Sequence, residues 1–105
     1  MSATVQLTEL VRAETHRRFA PAEVLLAINI LEHARLEVSK SASGGLDRVH
    51  LAALKLAGGT LAGLREAIEL AERDWRDLLV AAGLANEDWR EVLRCHGFLT
   101  SGLKP

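Results

Sequence analysis

The sequence predicts an all-α protein, a small orthogonal bundle of five or six helices. Three observations carry this expectation. The chain is rich in Leu, Ala, Glu and Arg, residues that lose little rotamer freedom in a helix. Apolar residues recur at helical spacing, with no period-two alternation that would mark a strand. Glycines at Gly44-Gly45, Gly58-Gly59, Gly83 and Gly97 cut the chain into helix-sized pieces. With 105 residues, 49% hydrophobic and 26% charged, the composition is that of a folded chain and not of a disordered tail. One helical domain over residues 1–105 is expected, large enough to close a core without metal or disulfide.

Residues 4–18 read as a first helix, with Leu7, Leu10, Val11 and Glu14 at helical spacing. The stripe is thin, so a mobile arm over residues 1–18 is the alternative. Pro21 suits the first position of a second helix, where its missing N–H would be unbonded anyway. From Pro21 to Ser39, Val24, Ala27, Ile28, Leu31, Ala34 and Val38 form one stripe, widened by Leu26 and Ile30. A helix apolar on more than one side is expected to be central or to enter an oligomer interface. Residues 39–45 form the one obvious loop.

Asp47 is the expected N-cap of a third helix, with Val49, Ala52, Ala53 and Leu56 facing inward. Gly58-Gly59 ends it, and Thr60 caps a helix carrying Leu61, Leu64, Ile68 and Ala71. That stripe continues through Trp75, Leu78, Leu79 and Ala82, which allows one long helix over residues 61–82. A break at Asp74 competes with it, because Asp74 and Asp77 make a capping pattern. The break is the favoured reading. Asp74-Trp75-Arg76-Asp77-Leu78-Leu79 recurs fourteen positions later as Asp88-Trp89-Arg90-Glu91-Val92-Leu93, and Gly83-Leu84 is answered by Gly97-Phe98. The second copy must start afresh after Gly83, with Asn86 or Asp88 as its cap. Residues 97–105 read as a tail, with Phe98 and Leu99 folding back onto the bundle. Of the two tryptophans, Trp75 lies on the apolar stripe and is expected to anchor the core. Trp89 is expected to be half-buried and is the better binding residue.

Few function classes survive this reading. The chain has one cysteine, Cys95, and residues 1–6 show neither a basic nor an apolar leader region, so a reducing cytoplasm is the expected setting. The most apolar run, Val24 to Leu31, is interrupted by Asn29 and too short to span a bilayer. A net charge of −1 gives no bias toward nucleic acid or anionic lipid. His16, His33, His50 and His96 are scattered, and Cys95-His96 would point about 100° apart on a helix. No metal site is expected. Nucleotide-loop and nucleophile-elbow motifs are absent from the sequence, so no catalytic or cofactor-binding residues are assigned.

Residues 75–96 resemble the helix-turn-helix of bacterial repressors, with Gly83 at the turn and Leu84, Trp89 and Val92 packing back. Leu79 stands where the motif usually has a small alanine. Glu87, Asp88 and Glu91 outnumber Arg90 and Arg94 on the face that would meet phosphates. An ordinary helical corner is favoured. Residues 48–83, through Arg48-Val49-His50-Leu51-Ala52-Ala53-Leu54-Lys55-Leu56-Ala57-Gly58-Gly59 and Asp74-Trp75-Arg76-Asp77-Leu78-Leu79, resemble a pattern in short bacterial helical proteins of uncharacterised role. The resemblance implies a bacterial, cytoplasmic helical scaffold and transfers no site.

The expected function is therefore a non-enzymatic protein–protein interaction or self-association module, binding a protein partner or a second copy. Its candidate partner-binding residues are Trp89, Arg90, Arg94, Leu26 and Ile30. The alternative is a DNA-binding regulator using residues 75–96.

Overall fold

The computed structural model describes residues 7–36 and 45–98. Six helices follow one another there: α1 Glu9–Arg18, α2 Val24–Glu32, α3 Gly45–Ala57, α4 Leu61–Arg73, α5 Trp75–Ala82 and α6 Trp89–Cys95. Among the described residues there is no strand, and the all-α expectation holds.

The centre is α3. Residues 48–54 are buried without interruption, and the helix packs against α1, α4 and α5. The Pro21–Ser39 segment does not take this place. Its helix is shorter at both ends, because Pro21 stands in a turn before Val24 and the last helical residue is Glu32. One face of α2, made by Val24, Ala27, Ile28 and Leu31, reaches the core. Its other apolar side faces out, with Leu25 at 78% exposure. Val38 and Ser39, and most of the expected 39–45 loop, lie outside the described residues.

Thr8 starts α1, its hydroxyl accepting from the Val11 N–H at 3.4 Å. Leu7, Val11 and Glu14 are buried at the predicted spacing. Residues 9–18 are thus a packed helix rather than an arm. Asp47 is not a cap. Helix α3 begins earlier, at Gly45, so Asp47 falls within the first turn, where its carboxylate accepts from the Thr8 hydroxyl at 3.1 Å. Leu56 is 38% exposed rather than inward, and Leu51, Leu54 and Ala57 fill the core instead.

Between α3 and α4 the chain turns in three residues. Gly58 and Gly59 adopt φ of 62° and 82°, and the Thr60 hydroxyl accepts from the Gly63 N–H at 3.0 Å. Gly63 sits so close to the Ala57 carbonyl oxygen that any Cβ there would collide with it. The break at Asp74 is real. Asp74 is extended (φ −164°, ψ 106°), ends α4 through its own N–H, and caps α5 by accepting from the Arg76 N–H at 3.0 Å.

The fourteen-residue echo has a structural counterpart at its downstream end. Gly83 donates to the Val80 carbonyl and Leu84 to that of Leu79, at 3.1 and 2.8 Å. Gly97 donates to Arg94 and Phe98 to Leu93, at 3.1 and 2.9 Å. Both are Schellman closures, with glycine at positive φ and the apolar residue after it donating back to Leu79 or Leu93. The upstream ends differ, since Asp88 makes no side-chain cap bond.

Candidate interaction surfaces

The two tryptophans exchange their expected roles. Trp89 is 4% exposed, whereas Trp75 is only partly buried against the core. Arg48, which sequence periodicity places on no face in particular, stands beside Trp89. The arginine is 8% exposed, and its guanidinium reaches from the central helix to the connection between α5 and α6. There Nε and Nη2 donate to the Leu84 carbonyl at 2.9 and 2.6 Å, and Nη2 also reaches the Asn86 carbonyl at 3.3 Å. The Trp89 ring centroid lies 5.5 Å from the Arg48 guanidinium carbon and 4.2 Å from that of Arg90. Burial, and then the Arg90 charge, lower the Arg48 pKa from its ordinary value. These contacts hold a turn in place. Arg90 and Arg94 are exposed on α6, but the tryptophan expected to join them in a partner site is enclosed.

The helix-turn-helix likeness loses its geometry in the same place. Residues 83–88 connect α5 to α6, a longer link than the motif's turn of about three or four residues. The α1 arginines do approach α6. Arg17 Nη2 donates to the Gly97 carbonyl at 3.4 Å and Arg18 Nη2 to that of His96 at 3.3 Å. Both also pair with the buried Glu14, at 3.6 and 3.7 Å, and Arg12 pairs with Glu32 at 3.1 Å. The basic end of α1 is thus partly neutralised by carboxylates, and its arginines reach the carbonyl end of α6, where a helix dipole is negative.

Among the described residues, exposed leucines mark two surfaces. On α2, Leu25 is 78% and Leu26 52% exposed, with Ile30 partly buried beside them. Leu26 and Ile30 were expected on such a face; Leu25, its most exposed member, was not, because it falls off the helical stripe. The second surface is a concavity of about 320 Å³ lined by Leu56, Gly63, Glu66, Ala67, Leu70 and Arg73. Its floor is apolar and its charges stand apart along α4. A smaller hollow of about 240 Å³ lies at the α4–α5 elbow, bordered by Glu72, Asp74, Trp75 and Arg76.

The histidines are dispersed as the sequence suggests. His33 and His96 turn Nδ1 onto the carbonyls of Asn29 and Val92, at 2.9 and 2.8 Å. His50 is 1% exposed, and neither ring nitrogen has a hydrogen-bond partner among the described residues. Burial brings its pKa down to about 4, against a smaller opposing effect of the Leu31 backbone. Among the described residues no three His, Cys, Asp or Glu side chains converge on a metal position, and no helix is long and apolar enough to cross a membrane. The Cys95 thiol is exposed and unbridged. Comparison with known protein families, characterised proteins and solved structures finds no match to this chain.

Proposed function

We propose that the chain is a non-enzymatic helical module that binds protein surfaces, its own or a partner's. The observation that carries this is the adjacent exposure of Leu25 and Leu26 on α2. Burying a leucine side chain gains about 1.5–3 kcal/mol, so two neighbouring leucines left in water favour association with an apolar surface. Ile30 extends that face one turn further. Of the residues expected from the sequence, Leu26 and Ile30 support the reading, and Arg90 and Arg94 offer only exposed charge. Trp89 is withdrawn from the set because it is enclosed.

The double variant Leu25→Lys/Leu26→Lys tests this, since both positions are exposed and the fold is expected to persist. Cross-linking followed by pull-down with the wild-type chain should recover a protein, a second copy or another, that the double variant fails to recover. Identical recovery by the two chains, with both strictly monomeric, would sink the proposal.

A further inference from the structure

Helix α6 is joined to the molecule differently from the other five. The helix pairs that pack closely are α3–α4, α3–α5, α4–α5, α1–α3, α2–α4 and α1–α2, and α6 belongs to none of them. Side chains hold it instead. Trp89, Leu93 and Phe98 enter the core at 4%, 0% and 2% exposure. At either end an arginine of the body grips backbone carbonyls: Arg48 of α3 holds Leu84 and Asn86 ahead of the helix, and Arg18 of α1 holds His96 behind it. A groove binds a short amphipathic helix in this way, through a few apolar anchors spaced along it.

The link that carries α6 is lightly fixed. Leu84 is buried and donates to the Leu79 carbonyl, so it stays with α5. The next four residues, Ala85 to Asp88, are exposed, and Asp88 makes no side-chain cap bond. A backbone bond from the Trp89 N–H to the Asn86 carbonyl, at 3.2 Å, closes the turn. Extended, four residues reach about 13 Å.

We infer that the groove under α6 is a self-association site, in which the α6 of a second copy replaces the chain's own. The inference names a self-partner for the interaction reading above but does not use the α2 leucines, so either can fail alone. Opening the turn places three large apolar side chains in water, and that form persists only where a matching groove receives them. A second copy offers the same groove with the same arginine grips. Its complementarity to α6 is the one already seen within the closed chain. Reciprocal exchange gives a closed two-fold dimer that regains the α6 contacts. Within one chain a short link holds α6 at an effective concentration of about millimolar. The wild type is therefore monomeric at micromolar concentration and exchanges helices at about millimolar concentration.

Deleting Ala85, Asn86 and Glu87 leaves one residue between Leu84 and Trp89, too few for the turn that Asn86 closes. The shortened chain should be a dimer by sedimentation equilibrium at micromolar concentration, where the wild type is a monomer. Cys95, the single cysteine and exposed on α6, reports which surfaces meet. A shortened chain spin-labelled at Cys95 is refolded with an isotope-labelled shortened chain carrying Cys95→Ser. Amide signals of the second copy should broaden at the end of α1, around Arg17 and Arg18. A shortened chain that is folded and monomeric overturns the inference. So does a dimer whose broadening falls around Leu25 and Leu26, a result that supports the interaction reading alone. If circular dichroism shows the deletion to be unfolded, the same labelled pair at wild-type length decides, refolded together at millimolar concentration. Broadening at the end of α1 then supports the exchange, and its absence overturns it.

Discussion

Arg48 and His50 are two residues apart on the central helix, and each is a polar group taken out of water by a different route. Arg48 meets carbonyls of the 83–88 connection, so its desolvation is offset by charge-assisted hydrogen bonds. Arg48→Leu keeps the apolar stem but leaves the Leu84 carbonyl without this donor in a buried place, which costs about 2–4 kcal/mol. Arg48→Lys, with one compact donor in place of a fork, should lie between the two. Urea unfolding measures both; a leucine variant within about 0.5 kcal/mol of wild type would show that the clamp contributes little.

For His50 the compensation is smaller, since the Leu31 backbone opposes only part of the effect of burial. Its folded-state pKa of about 4 lies below the ordinary 6.5, so the unfolded chain binds a proton that the folded chain refuses. Stability from this residue is therefore complete above about pH 6.5 and declines as pH falls toward 4, by about 3 kcal/mol in all. His50→Leu should remove this slope with little loss at neutral pH, because a buried neutral imidazole gives way to an apolar side chain. Unfolding free energies at several pH values between 4 and 7 compare the two chains; parallel pH profiles would rule the residue out as the cause.

At the scale of helices, the stops and starts were legible because each depends on one or two local residues. Gly58-Gly59 with Thr60, the break at Asp74, and the closures at Gly83 and Gly97 are all written in residue type and spacing. The two glycine roles separate experimentally. Gly83 has open space around a Cβ, so Gly83→Ala costs only the left-handed backbone, about 1–2 kcal/mol. At Gly63 the helix geometry is ordinary and the obstacle is the Ala57 carbonyl, which must move, so Gly63→Ala should destabilise more than Gly83→Ala despite the better helix propensity of alanine. Thermal unfolding orders the pair, and the reverse order would refute the close-approach argument. What periodicity could not show is which helix lies inside. Both α2 and α3 are apolar on more than one side, yet α3 alone is enclosed, because α1 and α5 gather on it together with its neighbour α4. The same blindness reversed the tryptophans. Trp75 has the right spacing but stands at the elbow, whereas Trp89 is enclosed beside an arginine forty-one positions earlier in the chain. Of the open surfaces, Leu26 and Ile30 followed from the stripe, but the α4 concavity depends on where α3 ends beside α4.

Across the whole molecule, cohesion is graded from α3 outward. The seven residues of α6 are too few to hold a helix by themselves, and three devices retain it: Trp89 beside Arg48, Leu93 in the core, and the α1 clasp on its carbonyl end. In the clasp Arg18 lies over the Phe98 ring at 3.6 Å from its centroid while its guanidinium is held between Glu14 and the His96 carbonyl. Regions tied by few contacts open locally at a lower free energy than the whole fold. Amides of α6 should therefore exchange with solvent faster than those of α3, whose residues 48–54 are buried throughout. Arg18→Met retains the stem over Phe98 but removes the charge and its donors. It should speed exchange in α6 by about tenfold, as expected for the loss of roughly 1.4 kcal/mol from a charge-assisted contact, while α3 amides change far less. Hydrogen-exchange mass spectrometry with fragments covering the two helices decides it. Equal acceleration in α3 and α6 would mean that the clasp stabilises the fold as one unit, and that α6 has no separate opening.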